Sequence, residues 1–321
     1  MRDLIVRGVW IASLALAVAG CSPATTTIGG AEVSSAPATY SGPGPIGVTC
    51  TVGMLADLVR AVGGNRLEVT TLMGPGTDPH LYKTSPGDVK QLGAADLVLY
   101  CGHHLEGKMG DTLERVSRRT PTVAVCERID PTRLLGDPEA PDAVDPHLWF
   151  DVTLWREAAD VIRAALAAFD PSHASAYEDR ARALATDLTE LDRWVRDQIA
   201  RIPENRRVLV TAHDAFRYFG RAYGVEVLAI QGLSTDSEAS VQKVNELVST
   251  IVERGIRAVF VESTVSAKNI RSLVEGCAAR GHTVAIGGSL FSDAMGAAGT
   301  PGGTYSGMVR HNVQTIVEAL K

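Results

Sequence analysis

The chain has 321 residues, room for two domains at about 150 residues each, and 45% of them are hydrophobic, as in a globular body. Its 31 Lys and Arg against 37 Asp and Glu leave a formal net charge of −6 with no basic block, which argues against a nucleic-acid partner. Beyond residue 20 no apolar run reaches the roughly 20 residues that a membrane span needs.

Arg2 and Arg7 flank a short basic start, and the apolar run over residues 8–20 ends in Val18-Ala19-Gly20-Cys21. That run is too short for an anchor helix, so residues 1–20 read as a signal peptide. The small residues before Cys21 resemble a bacterial lipoprotein cleavage box, which implies that Cys21 becomes the lipidated first residue of the mature chain. Residues 21–45, rich in Ser, Thr, Ala, Gly and Pro, cannot build a core and read as a flexible tether. The expected location is extracytoplasmic, periplasmic or on the outer face of the bacterial cell membrane, with the N-terminal lipid as the sole membrane contact. Cys50, Cys101, Cys126 and Cys277 show no Cys-x-x-Cys spacing. Export permits disulfides, yet three of the four end or follow predicted strands, where buried free thiols are expected.

Residues 46–52 are β-rich, 54–62 have helical spacing, Gly63-Gly64-Asn65 is a stop signal, and 67–72 form the next strand, which makes a βαβ unit. The loop 73–82, broken by Gly74, Pro75, Gly76 and Pro79, delivers His80. Ser85-Pro86-Gly87-Asp88 reads as an N-cap, a proline in the first turn and an acid in the first turn, opening a helix to residue 94. A strand at 97–100, a helix over 105–116 and a strand at 122–125 follow. The proline-punctuated, acidic loop 128–145 leads to a helix over 153–168. Asp170-Pro171 breaks that helix, and an uninterrupted helical stretch over 172–201 then spans about 45 Å at 1.5 Å per residue. Alternation resumes with strands at 207–211, 225–230, 258–261 and 283–286 and helices at 215–223, 240–254, 267–280 and 305–320. The fold class is α/β. Two lobes, 46–171 and 203–321, each carry a mainly parallel sheet flanked by helices, and one long rigid helix within 172–202 joins them.

Two Asp-Pro-His tripeptides stand out, Asp78-Pro79-His80 and Asp145-Pro146-His147. Proline fixes its own φ and pushes the preceding residue toward extended backbone, so each imidazole sits on a loop that has already lost freedom. The nearby aspartate is placed to orient the ring or accept its second N–H. Ligands in open α/β sheets bind beyond the carboxyl ends of strands. His213, two residues past the strand at 207–211, and Asp293, in the glycine-flanked loop Leu290-Phe291-Ser292-Asp293, both lie there. Three imidazoles and one carboxylate suit Zn2+, Mn2+ or Fe2+ rather than calcium or copper(I). His103 and His104 read as a solvated pair, and His173, His282 and His311 as surface residues of predicted helices or strands. Glu262, at a strand end, reads as a structural hydrogen-bond partner, and Trp149 and Phe150 as residues that fix the His147 loop.

Thr77-Asp78-Pro79-His80, Asp145-Pro146-His147-Leu148-Trp149-Phe150-Asp151, Thr211-Ala212-His213-Asp214-Ala215-Phe216 and Leu290-Phe291-Ser292-Asp293 resemble the four ligand motifs of the metal-binding lipoproteins of zinc and manganese ABC importers, in their TroA-like branch. Gln231-Gly232, Ser237-Glu238-Ala239-Ser240 and the stretch 303–312 add to a resemblance that covers residues 46–321. It implies two pseudo-symmetric lobes with one ion between them, held by His80, His147, His213 and Asp293, and partnership of a monomer with an ABC permease and its ATPase. A histidine as third ligand fits the TroA-like branch. The histidine-free loop 128–145 lacks the His-rich insertion of dedicated zinc scavengers. The expected function is therefore capture and delivery of Zn2+ or Mn2+, with Fe2+ possible on the same chemistry, and with no catalytic residues. Since imidazoles bind metal only when neutral, affinity is expected to fall below pH about 6.5. The alternative, a zinc-dependent hydrolase, needs an open coordination position and a general base, and no His-Glu-x-x-His helix is present. A binder of organic solutes or a host-surface adhesin has no sequence feature of its own.

Overall fold

The computed structural model describes residues 39–137, 140 and 142–321, so the expected signal peptide, the lipidation at Cys21 and residues 21–38 of the expected tether lie outside the described residues. Within the remainder of that stretch, Tyr40 is held on the body. Its N–H donates to the Phe169 carbonyl at 2.6 Å, and its ring lies under the Arg66 guanidinium, whose Nη1 donates to the Gly44 carbonyl at 2.7 Å.

In the N-terminal half the chain runs β1 (Ile46–Cys50), α1 (Gly53–Gly63), β2 (Leu67–Thr71), α2 (Pro86–Ala94), β3 (Leu97–Tyr100), α3 (Gly110–Ser117) and β4 (Thr122–Ala124). The four strands form one parallel sheet in the order β2-β1-β3-β4. β1 is buried along nearly its whole length, Thr49 included, as expected of a central strand in a parallel sheet. Ser85 and Asp88 cap α2 reciprocally, with Pro86 in its first turn. The helix expected from residue 105 starts late, as a 3₁₀ turn at Gly107–Met109 and then α3. Gly102, His103 and His104 occupy left-handed backbone, and the Glu106 carboxylate turns back to accept from the Cys101 and Gly102 N–H groups and the Thr51 hydroxyl. Its buried carboxylate thereby serves the end of the sheet, and the chain cannot enter a helix there.

Asp151 caps α4 (Val152–Phe169) by accepting from the N–H groups of Thr153 and Leu154. A 3₁₀ turn at Pro171–His173 follows, and α5 (Ala174–Ile199) begins two residues later than its sequence pattern suggests. At 26 residues it still spans about 39 Å. The second half runs β5 (Val208–Thr211), α6 (Arg217–Tyr223), β6 (Glu226–Ala229), α7 (Val241–Arg254), β7 (Ala258–Glu262), α8 (Lys268–Ala279), β8 (Ala285–Leu290) and α9 (Tyr305–Leu320). β5 pairs with β6 and β7 with β8, all parallel, and β5 lies beside β7.

On α5 the buried residues Tyr177, Ala181, Leu188, Leu191, Val195 and Ile199 recur mostly at three- and four-residue steps, one stripe of an amphipathic helix. That stripe packs on α1 and α4 of the first half and on α6 and α9 of the second. The result is the expected α/β architecture, two sheet-bearing lobes tied by one long helix. The apolar core around the first sheet continues through α4, α5, α6 and α9, and a second one lies under α7 and α8. No helix among the described residues is long and apolar enough to cross a membrane.

β8 departs from the sequence pattern in a way that bears on the site. The expected strand at 283–286 instead runs to Leu290, through Gly287-Gly288, with an irregular register opposite Val259 and Phe260. A Cβ on Gly287 would lie 2.7 Å from the Cβ of Ala319 and 2.9 Å from the Phe260 ring. The glycine therefore marks a close approach of α9 to the sheet, and the strand continues past it to deliver Asp293. Gly287→Val is expected to lower unfolding stability by about 1–3 kcal/mol through overpacking. Urea denaturation at neutral pH measures it, and an unchanged midpoint would show that the contact yields without cost.

Candidate metal centre

Four loops converge where the two lobes meet. The loop after β2 carries His80, and the Asp78 carboxylate fixes it by accepting the His80 backbone N–H at 2.9 Å. The second Asp-Pro-His loop is held more completely. Asp145 Oδ1 accepts the His147 backbone N–H at 3.0 Å and lies 2.8 Å from ring Nδ1. Trp149 packs edge-on against the His147 ring and donates its indole N–H to the Ser292 carbonyl at 3.1 Å, tying this loop to the one that carries Asp293.

From the other lobe, His213 follows the carboxyl end of β5. Glu262, the last residue of β7, accepts the N–H groups of Ala212 and His213 at 2.7 and 2.9 Å through Oε1, while its Oε2 lies 2.5 Å from His213 Nδ1. A carboxylate beside Nδ1 of both His147 and His213 favours the proton on that nitrogen, so that a neutral ring would present the Nε2 lone pair to the cluster. Asp293 leaves the end of β8 on a backbone clamped by Asn312 of α9. The Asn312 amide accepts from the Phe291 N–H at 2.9 Å and donates to the Phe291 carbonyl at 2.7 Å.

The resulting cluster is compact and nearly dry. His80 is 5% exposed, His147 and His213 are 0% and Asp293 is 1%. His80 Nε2 lies 3.4 Å from His147 Nε2 and 3.8 Å from Asp293 Oδ2. The Nε2 atoms of His147 and His213 lie 3.4 and 3.2 Å from the Asp293 oxygens. A tetrahedral ion with bonds of about 2.0–2.2 Å spaces its donors by roughly 3.3–3.6 Å, and the four groups, whose ligand atoms all lie within 4.8 Å of one another, come close to that spacing. Neither Asp293 oxygen receives a well-directed hydrogen bond. A buried carboxylate without donors is costly unless a positive charge faces it, and the set fits a divalent cation. Among the described residues no other group of three or more His, Cys, Asp or Glu side chains meets this spacing.

Charge within the cluster is strongly coupled. Burial alone would lower the pKa of His147 and His213, but Asp145 and Asp293 push His147 up to about 9, and Glu262 and Asp293 raise His213 well above the ordinary imidazole value. Burial would raise Asp293, yet His213 and His147 hold it well below the usual carboxylate range. His80, desolvated by burial and repelled by His147 and His213, drops to about 3 despite Asp293 beside it. The neighbouring carboxylates thus favour the protonated form of His147 and His213, and the two imidazoles favour the ionised form of Asp293.

The remaining candidates fall outside the cluster. His103 is half-buried rather than solvated, with Nε2 3.1 Å from the Cys126 carbonyl, and His104 is exposed. His173 sits by Asp170, His282 by the Ile256 carbonyl and His311 by the Ser289 carbonyl, all structural contacts. Glu262 is structural as expected, although its target is a proposed ligand. Asp78 differs from the expectation for its tripeptide. It holds the backbone of His80, and its second oxygen goes to the Thr235 hydroxyl at 2.6 Å. The supporting roles of Asn312 and Thr235 were not legible, because each acts on a residue 21 or 157 positions away, and for Glu262 only its partner was not. The described cysteines, Cys50, Cys101, Cys126 and Cys277, are buried and free.

The chain is similar to known metal-binding proteins. A family model described as "ZnuA: Zinc-uptake complex component A periplasmic" matches residues 48–319. The manganese-binding lipoprotein MntA of Bacillus subtilis is 52% identical over 274 residues, 85% of this chain and 89% of its own. The zinc-binding protein TroA of Treponema pallidum is 48% identical over 273 residues, 85% of this chain and 88% of its own. The solved structure of the periplasmic zinc-binding protein TroA from Treponema pallidum superposes with a TM-score of 0.84, covering 86% of this chain and 99% of that one at 47% identity.

A cation entering this cluster must displace the protons on His147 and His213. The metal-free groups keep those protons above the ordinary imidazole pKa, so apparent affinity is expected to rise with pH up to about 9 instead of levelling near 6.5. Zn2+ titration at pH 7.5 in buffers of different ionisation enthalpy should show more than about one proton released per ion bound. Uptake without proton release would contradict this.

Proposed function

The chain belongs to the family of periplasmic zinc-uptake components A, and on that premise we propose that it is the extracytoplasmic solute-binding protein of an ABC transporter, capturing one Zn2+ or Mn2+ ion for a permease and its ATPase. The observation that carries the reading is the convergence of His80, His147, His213 and Asp293, two from each lobe, close to the spacing of one coordination shell. These four are the proposed ligands. Fe2+ suits the same donors. Relatives named for manganese and for zinc stand at similar identity to this chain. Bare affinity favours zinc over manganese at any nitrogen-rich site, so cellular uptake, rather than tightness in vitro, identifies the cargo.

The mechanism is coordination, with no bond made or broken in a substrate. Asp145 and Glu262 orient two of the imidazoles, Asn312 sets the carboxylate, and burial excludes competing water. A hydrolytic role needs a general base near the ion. Glu262 is committed to two backbone N–H groups and the His213 ring, which supports transport without catalysis. Because α5 packs on helices of both lobes, opening for release is a small displacement of loops and one lobe, without wide hinging. Cys21 is the proposed lipidated residue, residues 21–45 the tether, held on the body at Tyr40, and 172–202 the link between lobes 46–171 and 203–321, in a protein acting as a monomer.

Metal-free protein is expected to bind one Zn2+, and Asp293→Ala or His213→Ala to weaken binding by at least ~100-fold, beyond what loss of an orienting partner costs. Calorimetry or chelator competition checks this, with circular dichroism as the control for folding. Undiminished affinity in both variants would refute the ligand set. Metal-dependent hydrolysis of ester, peptide or phosphate substrates that disappears in His213→Ala would refute the transport reading.

A further inference from the structure

Among the side-chain contacts that pass between the lobes, two involve the irregular segment between β6 and α7. Thr235 donates its hydroxyl to Asp78 Oδ2 at 2.6 Å, and Lys108 Nζ lies 2.8 Å from each oxygen of Asp236. The segment is rooted next to His213, since Gln231 N–H donates to the Ala212 carbonyl at 2.9 Å and Asp214 N–H to the Gly232 carbonyl at 3.2 Å. Its shape is held internally by Gln231 Nε2 on the Ser237 carbonyl and by Asp236 N–H on the Ser234 hydroxyl.

Asp78 is thus shared between the lobes. One oxygen fixes the backbone of His80, and the other is held by a residue whose segment starts at the His213 loop. The two contacts are unequal. Lys108 and Asp236 are 36% and 55% exposed at their side chains, so solvent and salt screen them. Thr235 is buried and donates to an ionised acceptor, a stronger and less screened bond.

We propose that Thr235 is a positioning residue that latches the lobes over the bound ion through Asp78, coupling the His80 and His213 loops and thereby setting the rate of metal release rather than capture. This rests on the metal-capture reading above. The latch forms once the lobes are together, so an arriving ion meets the same open cleft with or without it. A departing ion must wait for the Thr235 hydroxyl to leave Asp78 before His80 swings free. The Lys108–Asp236 pair adds a smaller, salt-sensitive contribution at the rim.

The test uses Zn2+ alone as probe, with release from the loaded protein into excess chelator and association with metal-free protein both followed by stopped flow. Thr235→Val is expected to speed release roughly tenfold, the worth of one hydrogen bond to a charged acceptor, with association changed less than about twofold. Thr235→Ser should restore the slow release, and Lys108→Ala should speed it less than about threefold. Release from Thr235→Val at the wild-type rate would overturn the latch and leave capture standing. So would equal changes in both rates with a lower Tm of the metal-free variant and no rescue by serine, which would mark Thr235 as merely structural. If the wild-type protein took up no Zn2+, the capture reading itself would fall.

Discussion

A carboxylate sealed from water among three imidazoles is the constraint around which this molecule is arranged. Asp293 is 1% exposed, and its neighbours are three imidazole nitrogens. Such a group is tolerated only opposite positive charge. In the metal-free protein protons on His147 and His213 supply that charge, and on the proposed reading a divalent ion replaces them. On that reading protons and the divalent ion compete for the same imidazoles, which suits a carrier that must both load and empty.

The rest of the fold places that carboxylate and its neighbours. The parallel strands end at the cleft, so their carboxyl-terminal loops hold the donors, while α5 fixes the distance between lobes by packing on helices of each. The proposed ligands are in turn held by polar groups that touch no cargo. Asp145 and Glu262 sit behind two rings, Asn312 clamps the backbone before Asp293, and Trp149 ties the second loop to the fourth. Loops alone would be too mobile for a set of donor distances between 3.2 and 3.8 Å. Their partners on helix and strand ends keep the set in place.

Much of this was legible in the sequence because it is local. The Asp-Pro-His tripeptides announce stiff histidine loops, the capping residues announce α2, and the long uninterrupted helical pattern announces α5. What was not legible depends on distant contacts. The late start of α3 follows from Glu106 folding back on Thr51 and Cys101, and the length of β8 from a glycine that faces Ala319 and Phe260. The two tripeptides look alike yet differ in use, since Asp145 grips a ring while Asp78 grips a backbone and the opposite lobe. Likewise His213 is raised by Glu262 and Asp293, carboxylates that only the folded chain brings near, whereas His147 is raised first by Asp145, its neighbour in sequence, and then by Asp293.

The central claim is that four side chains from two lobes bind one ion, and crystallography of the Zn2+-loaded protein at the zinc absorption edge tests it most directly. The account predicts a single anomalous peak about 2.0–2.2 Å from Nε2 of His80, His147 and His213 and from a carboxylate oxygen of Asp293. A peak elsewhere in the molecule, or one that any of these four side chains does not reach, would contradict it.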